Sequence, residues 1–290
     1  MKVYTIIVTY NGEKWILNTI NSLLKSTLKN DIIVVDNGST DDTIKIIKEF
    51  ENISLFINDE NLGFGAANNV GLRKVLTDKY DYAFLLNQDA WVESTTIEAL
   101  VNIHQTNKEF GIISPIHLNP KENKLDYQFN KYLKQNKYNF DTINIPTDNK
   151  LLEIDFVNAA CWLLPRETIS LVGEFDELFF MYGEDNNYVQ RLIFKKLRIG
   201  IYPNCNIYHD REYNRLTKVS KLKYINRKKS TYLNIILNPN KNYLKALLIS
   251  NLYIIKNIIK NLIFFNFDIT FNLFHIIRNP IDLYKIRKNY

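Results

Sequence analysis

Val3-Tyr4-Thr5-Ile6-Ile7-Val8-Thr9 is a nearly unbroken run of apolar and β-branched side chains that stops at the polar turn Tyr10-Asn11-Gly12. A short run of this kind, bounded by turn residues, predicts a strand buried on both faces. The same grammar recurs downstream. Residues 13–27 place Trp15, Ile16, Ile20, Leu23 and Leu24 at helical spacing. Asp31–Val35 predicts a second strand, closed by Asp36-Asn37-Gly38-Ser39, after which Thr40 or Asp41 can cap a helix carrying Ile44, Ile47 and Phe50. Ile53–Ile57 predicts a third strand, residues 65–77 a third helix, and Tyr82–Leu86 a fourth strand ending at Asn87-Gln88-Asp89. Buried strands alternating with helices predict an α/β fold whose mostly parallel central sheet is covered on both faces. Ligands of such sheets bind beyond the carboxyl ends of the strands. The turns after strands one, two and four are all rich in Asn, Asp, Gly and Ser, so the search for a site starts there.

The second half is less regular. Residues 119–153 are polar and aromatic with weak periodicity and predict an irregular insertion. Order returns over 154–203, with an apolar stretch to Leu164, a helix from about Arg166, a Gly173–Tyr182 segment, a helix from Glu184 to Lys196 and a strand at Ile199–Tyr202. From about residue 220 the chain is rich in Lys, Ile, Leu and Asn and is expected to be helical. The expected division is a catalytic α/β domain over 1–218 and a basic amphipathic helical region over 219–290.

The chain has 290 residues and a net charge of +6, unevenly placed. Residues 221–290 hold 13 Lys and Arg against 2 Asp, while the rest holds 24 basic and 29 acidic groups. Two parts of opposite charge point to different partners. Cys161 and Cys205 belong to no metal-binding or redox spacing and are expected to be small buried hydrophobes. The start lacks a signal-peptide pattern, and no stretch of 18 uncharged apolar residues predicts a spanning helix. The expected location is the cytoplasm.

Four polar segments in order carry the next step: Thr9-Tyr10-Asn11, Asp36-Asn37-Gly38-Ser39-Thr40-Asp41, Asn61-Leu62-Gly63-Phe64-Gly65 running on to Asn69, and Asn87-Gln88-Asp89. Later come Val172-Gly173-Glu174-Phe175-Asp176-Glu177 and Phe179-Phe180-Met181-Tyr182-Gly183-Glu184-Asp185. Over about residues 1–215 this series resembles the inverting glycosyltransferases of family 2, and the Gln-Asp pair is similar to that of rhamnosyltransferase-like members. The resemblance implies a GT-A nucleotide-diphospho-sugar fold. It implies a donor site from Thr9, Tyr10, Asn11, Asp36, Gly38, Ser39, Asn61, Gly63, Phe64, Asn69, Gln88 and Asp89, to which Arg191 is added as a phosphate contact or a partner of Glu184. Asp36 at a strand tip can accept the N3–H of a pyrimidine, and the Asn37-Gly38-Ser39 turn and the start of the third helix offer backbone N–H groups to phosphate.

The family's Asp-x-Asp is reduced here to Asp89. By resemblance Asp89 holds a divalent metal, Mn²⁺ or Mg²⁺, with His209 completing the site, while Arg211 and Arg215 are within reach of the diphosphate. Asp185 matches the catalytic base that deprotonates an acceptor hydroxyl; Glu184 and Trp162 are assigned to the acceptor side. The plain alternatives are a helix-dipole role for Glu184 and Asp185, a core role for Trp162, and surface or packing roles for His104, His117 and His275.

The function implied is transfer of a sugar from a UDP- or dTDP-sugar, dTDP-rhamnose among them, to a hydroxyl of a growing cell-surface glycan or lipid-linked oligosaccharide. Rival readings are a nucleotidyltransferase, which the Tyr10-Asn11-Gly12-Glu13 loop disfavours, and a non-catalytic nucleotide- or glycan-binding protein. A nucleic-acid binder is disfavoured by the leucine-rich tail. Leu244, Leu247, Leu248, Leu252, Ile255, Ile258, Ile259 and Leu262 form one face of the tail helix, with Lys245, Lys256 and Lys260 elsewhere. Two readings stay open for it: peripheral contact with anionic lipid at the inner face of the cell membrane, or packing on the catalytic core or a second copy in a homodimer.

Overall fold

The computed structural model describes residues 1–122, 124–140, 144–146, 148–211, 220–277 and 279–290. The chain forms two compact units, Met1–Glu174 with Leu197–Tyr213, and Phe175–Lys196 with Asn214–Tyr290. This differs from the 1–218 and 219–290 division expected from sequence: the segment bearing Glu184 and Asp185 groups with the basic helices.

The first unit contains β1 (Val3–Thr9), α1 (Ile16–Leu24), β2 (Asp31–Asp36), α2 (Thr43–Ile47), β3 (Ile53–Ile57), α3 (Phe64–Thr77), β4 (Tyr82–Asn87), β5 (Ala90–Val92) and α4 (Thr96–Gln105). It continues with β6 (Phe110–Asn119), β7 (Lys124–Leu125), α5 (Tyr127–Gln135), β8 (Leu152–Glu153), β9 (Cys161–Pro165) and α6 (Arg166–Val172). After α7 (Glu184–Phe194) of the second unit it closes with β10 (Arg198–His209), and α8 (Lys221–Ile236), α9 (Tyr243–Ile263), α10 (Phe267–Phe274) and α11 (Pro280–Lys288) complete the second unit.

The sheet runs β3-β2-β1-β4-β9-β6-β10-β5. Strands β3, β2, β1 and β4 pair in parallel, as do β6 and β10. The intervening β9 is antiparallel to both β4 and β6. Strands β1, β2 and β4 match the sequence expectation closely because they are buried on both faces, while β3 lies at the sheet edge and is half-buried. Alternation then divides their side chains: Ile7, Ile32, Val34, Phe84 and Leu86 enter one core with Ile20 and Leu23 of α1, and Ile33 and Val35 enter the other with Ala67 of α3. Cys161 and Cys205 are free and buried. Residues 119–153 are less irregular than expected: α5 forms there, capped by Asp126, whose carboxylate accepts from the Phe129 N–H at 2.9 Å.

The second unit has its own core, where Phe179, Tyr232, Leu233 and Ile236 meet Ile254 and Ile258 of α9 and Leu273 of α10. The tail stripe divides accordingly. Ile258 is buried and Leu247 packs against the core, whereas Leu244, Leu248, Leu252, Ile255, Ile259 and Leu262 are exposed. Among the described residues, α9 is long and apolar enough by length and composition to cross a membrane, despite its lysines, and a third of it (33%) is buried within the protein.

One contact fixes how closely α3 lies on the sheet. A Cβ at Gly71 would meet Cδ1 and Cγ1 of fully buried Ile6 at 2.6 Å. Alanine is the better helix former by about 1 kcal/mol, but overpacking a rigid core costs about 1–3 kcal/mol. Gly71→Ala should therefore lower the thermal midpoint by several degrees; an unchanged or raised midpoint by calorimetry would show that the two elements separate easily.

Candidate active site

The carboxyl ends of β1, β2 and β4 are stitched into one surface by short polar side chains. Thr9 ends β1 and is fully buried; its Oγ1 donates to Gln88 Oε1 at 2.6 Å. The same Oε1 accepts from the Tyr10 N–H at 2.9 Å, and Gln88 Nε2 donates to the Tyr10 carbonyl at 3.3 Å. Gln88 thus clamps β4 to β1, using a donor that a carboxylate would lack. Thr19 of α1 adds a bond to the Gln88 carbonyl at 2.7 Å.

At the end of β2, Asp36 is completely buried. Its Oδ2 accepts from the N–H groups of Gly38 at 3.0 Å and Ser39 at 2.8 Å, while Oδ1 has no hydrogen-bond partner among the described residues. A buried carboxylate oxygen without a donor is costly. Ser39 Oγ accepts from the Asn11 N–H at 2.9 Å, and Asn11 Oδ1 accepts from the Thr40 N–H at 2.8 Å, tying the turn after β1 to the turn after β2. Asn37, expected from sequence only as part of a turn that offers backbone N–H groups, is through its side chain the hub of the third link. Its Nδ2 donates to Asn61 Oδ1 and the Gly63 carbonyl, and its Oδ1 accepts from Asn58 and the Leu62 N–H. Gly63 caps α3 and Phe64 opens it, with Asn69 buried one turn on. The expected donor residues of the first unit are therefore brought together at one edge of the sheet.

Beyond β4, Asp89 Oδ1 lies 3.2 Å from His209 Nε2 at the end of β10. Burial raises the Asp89 carboxyl, but the hydrogen bond and charge of His209 outweigh it and hold it below the ordinary carboxylate range, so it is an anion at neutral pH. Asn87 Nδ2 and Arg211 Nη2 flank the imidazole, each at 3.5 Å. Arg211 also lies 3.8 Å from the buried Asp126 carboxylate. His117, read from sequence as a surface or packing residue, is fully buried with its ring 6.3 Å from that of His209. Ser114 Oγ donates to the Cys161 carbonyl at 2.7 Å and lies 2.9 Å from His117 Nε2. The hydroxyl proton being used, Nε2 must carry the imidazole proton. Burial, then the charges of His209 and Arg211, push this histidine well below its usual range and keep it neutral. It gave no signal in the sequence because it sits inside an apolar strand.

Asp89 and His209 face each other with one carboxylate oxygen and one ring nitrogen, a donor pair suited to a divalent ion whose other positions come from phosphate and water. Among the described residues no group of three or more His, Cys, Asp or Glu is placed to hold an ion. Arg215 lies outside the described residues.

In the second unit, Gly183 adopts φ 94° and turns the chain into α7. A side chain there would strike Asn234 Nδ2 at 2.5 Å and Ser230 Cβ at 2.9 Å on α8. Asn234 also donates to the Gly183 carbonyl at 3.0 Å, so the turn is pinned. Asp185 follows, half-buried, its Oδ1 accepting from the Asn186 N–H at 2.8 Å. Glu184 is buried, and burial first, then the charge of Asp185, raises its carboxyl to about 8. Two adjacent carboxyl groups in unequal environments thus divide their roles, Glu184 holding a proton at neutral pH.

Two assignments change. Trp162 is completely buried in β9, paired with Leu85 of β4, and cannot stack on a sugar. Arg191 is also buried; its Nε donates to Asn187 Oδ1 at 2.9 Å and its guanidinium lies 5.1 Å from the rings of both Tyr188 and Tyr290. It is built into the packing of the second unit. The state of Glu184 makes a prediction. Its folded pKa lies above the unfolded value, so the fold loses stability as pH rises from about 5 to 8. Thermal melts should show Glu184→Gln gaining on the parent protein across that range; a constant difference between the two would contradict a protonated Glu184.

Comparison with known proteins agrees with this geometry. The model of glycosyl transferase family 2 matches residues 4–168. The chain is similar to glycosyltransferase GlyA of Streptococcus pneumoniae, 35% identical over 103 residues, which cover 34% of this chain and 14% of that protein. It is similar to the dTDP-rhamnosyl transferase RfbF of Shigella flexneri, 24% identical over 71% of this chain and 68% of that one. Among solved structures, S. aureus TarS in complex with UDP-GlcNAc superposes with a TM-score of 0.57 at 16% identity, covering 87% of this chain and 71% of TarS. The chain thus spans only a small part of one of these relatives and about two thirds of the others. The fold is the GT-A fold, and the chain belongs to glycosyl transferase family 2.

Proposed function

We propose that the protein is an inverting glycosyltransferase that takes a sugar from a uridine or thymidine diphosphate donor and passes it to a hydroxyl of a cell-surface glycan or lipid-linked oligosaccharide. The observation that carries this reading is the unpartnered Oδ1 of buried Asp36, set among the stitched ends of β1, β2 and β4. The N3–H of uracil or thymine supplies the donor that this oxygen lacks. The relationship to a dTDP-rhamnosyl transferase favours rhamnose as the sugar.

The chemistry follows from the residues. Asp89 and His209 would hold a divalent ion, which when bound offsets charge on the diphosphate. Arg211 offers a further positive charge beside His209. Asp185 accepts the proton of the acceptor hydroxyl as that oxygen bonds to the anomeric carbon and the bond to the diphosphate breaks; attack opposite the leaving group inverts the centre. With Glu184 protonated, the negative charge at the start of α7 is left to Asp185. A cavity of about 910 Å³ in the second unit, lined by Tyr182, Gly183, Asn186, Arg227, Asn234 and Lys241 among others, has the size for an acceptor.

Purified protein should slowly release nucleoside diphosphate from one pyrimidine-diphosphate sugar, and chelation of divalent metal should stop it. Asp185→Asn should lower turnover with acceptor by about a hundredfold or more while leaving donor binding unchanged. Donor binding without any turnover, given acceptor and metal, would favour a binding protein; no binding to any nucleotide sugar would refute the proposal.

A further inference from the structure

The polarity of α9 is inverted. Its buried face carries Ala246, Ser250, Asn257 and Asn261 beside Ile254 and Ile258. Its exposed face carries Leu244, Leu248, Leu252, Ile255, Ile259 and Leu262, with Leu244 73% and Leu248 60% exposed. At about 100° per residue these six fall within a single narrow stripe. Lys245, Lys256 and Lys260 are exposed along one flank of that stripe, the opposite edge being Asn251. A helix that turns asparagine and serine inward and leucine outward is not selected for water on its outer face.

The apolar surface continues beyond the helix. Phe264 and Phe265 follow α9, and Phe267, Phe271 and Phe274 lie on one side of α10; all five are more than half exposed, Phe265 at 78%. The region is basic as a whole: residues 221–290 carry 13 Lys and Arg against 2 Asp, and one of those two, Asp268, is already paired with Lys221 at 2.7 Å.

From this arrangement we infer that the second unit docks on an anionic lipid bilayer through the exposed face of α9 and α10, lying in the interface rather than spanning it. Leucines and phenylalanines enter the acyl boundary, and the flanking lysines reach headgroup phosphates. Charge decides the occupant. Two copies joined through this face would each bring a net +11 from residues 221–290, whereas an anionic leaflet complements it. Spanning would strip α9 from the core it shares with α8 and α10 and bury three lysines in hydrocarbon. The inference is independent of the sugar transferred and of the roles given to Asp36 and Asp185.

The test is flotation of the full-length protein with vesicles of phosphatidylcholine, with and without phosphatidylglycerol. Binding should require phosphatidylglycerol and weaken with salt. Lys256→Glu with Lys260→Glu, and separately Leu252→Ser with Phe265→Ser, should each reduce vesicle binding about tenfold or more without changing the melting temperature. Three results would overturn the inference: no binding to either vesicle, retention after alkaline carbonate, which indicates a spanning helix, or a dimer in light scattering that the leucine and phenylalanine changes convert to monomer.

Discussion

Asp36 is a carboxylate with no exposed surface at the tip of a parallel strand, and its burial is tolerable only because the following turn bends back to supply two N–H groups. That requirement sets the turn after β2. The turn positions Ser39 to hold Asn11, and Asn37 to hold the approach to α3. Gln88 does the same work between β4 and β1. The donor edge is a network of short side chains bonding to neighbouring backbone, and such networks are rigid when every member is satisfied. Among the described residues of this network, Asp36 Oδ1 has no hydrogen-bond partner.

The second unit solves a different problem. It carries two adjacent carboxyl groups, Glu184 and Asp185, in unequal environments. Burial separates them: Glu184 is held protonated, and Gly183 and its contacts with α8 fix where α7 begins. The same helices present outward the apolar face and lysine flank argued above to meet lipid. One group of helices thus combines the proposed base, a cavity of acceptor size and a surface for the phase in which a lipid-linked acceptor resides.

Much of this was legible in the sequence where burial is two-sided. Strands β1, β2 and β4 read correctly because their apolar, β-branched runs admit few alternatives, and short polar turns rich in Asn, Asp and Gly stop them. The segment 119–153 was read as irregular because α5 has few apolar residues and depends on its Asp126 cap. Trp162 reads from sequence as an acceptor-side aromatic or as core, and pairing with Leu85 in the middle of the sheet decides for core. His117 reads as a surface or packing residue, and only the fold brings its strand beside His209. The grouping of α7 with the tail helices was illegible because it rests on packing between segments far apart in the chain, Phe179 with Tyr232 and Ile254 among them. The tail pattern showed an amphipathic helix but not which side faced inward.

The central claim is that Asp36 recognises the N3–H of a pyrimidine nucleotide. Calorimetric titration of the unaltered protein with UDP and with 3-methyl-UDP tests it without risk to the fold. The account predicts that methylation at N3 weakens binding about tenfold or more, the worth of a hydrogen bond to a charged acceptor. Equal affinity for the two nucleotides would contradict it.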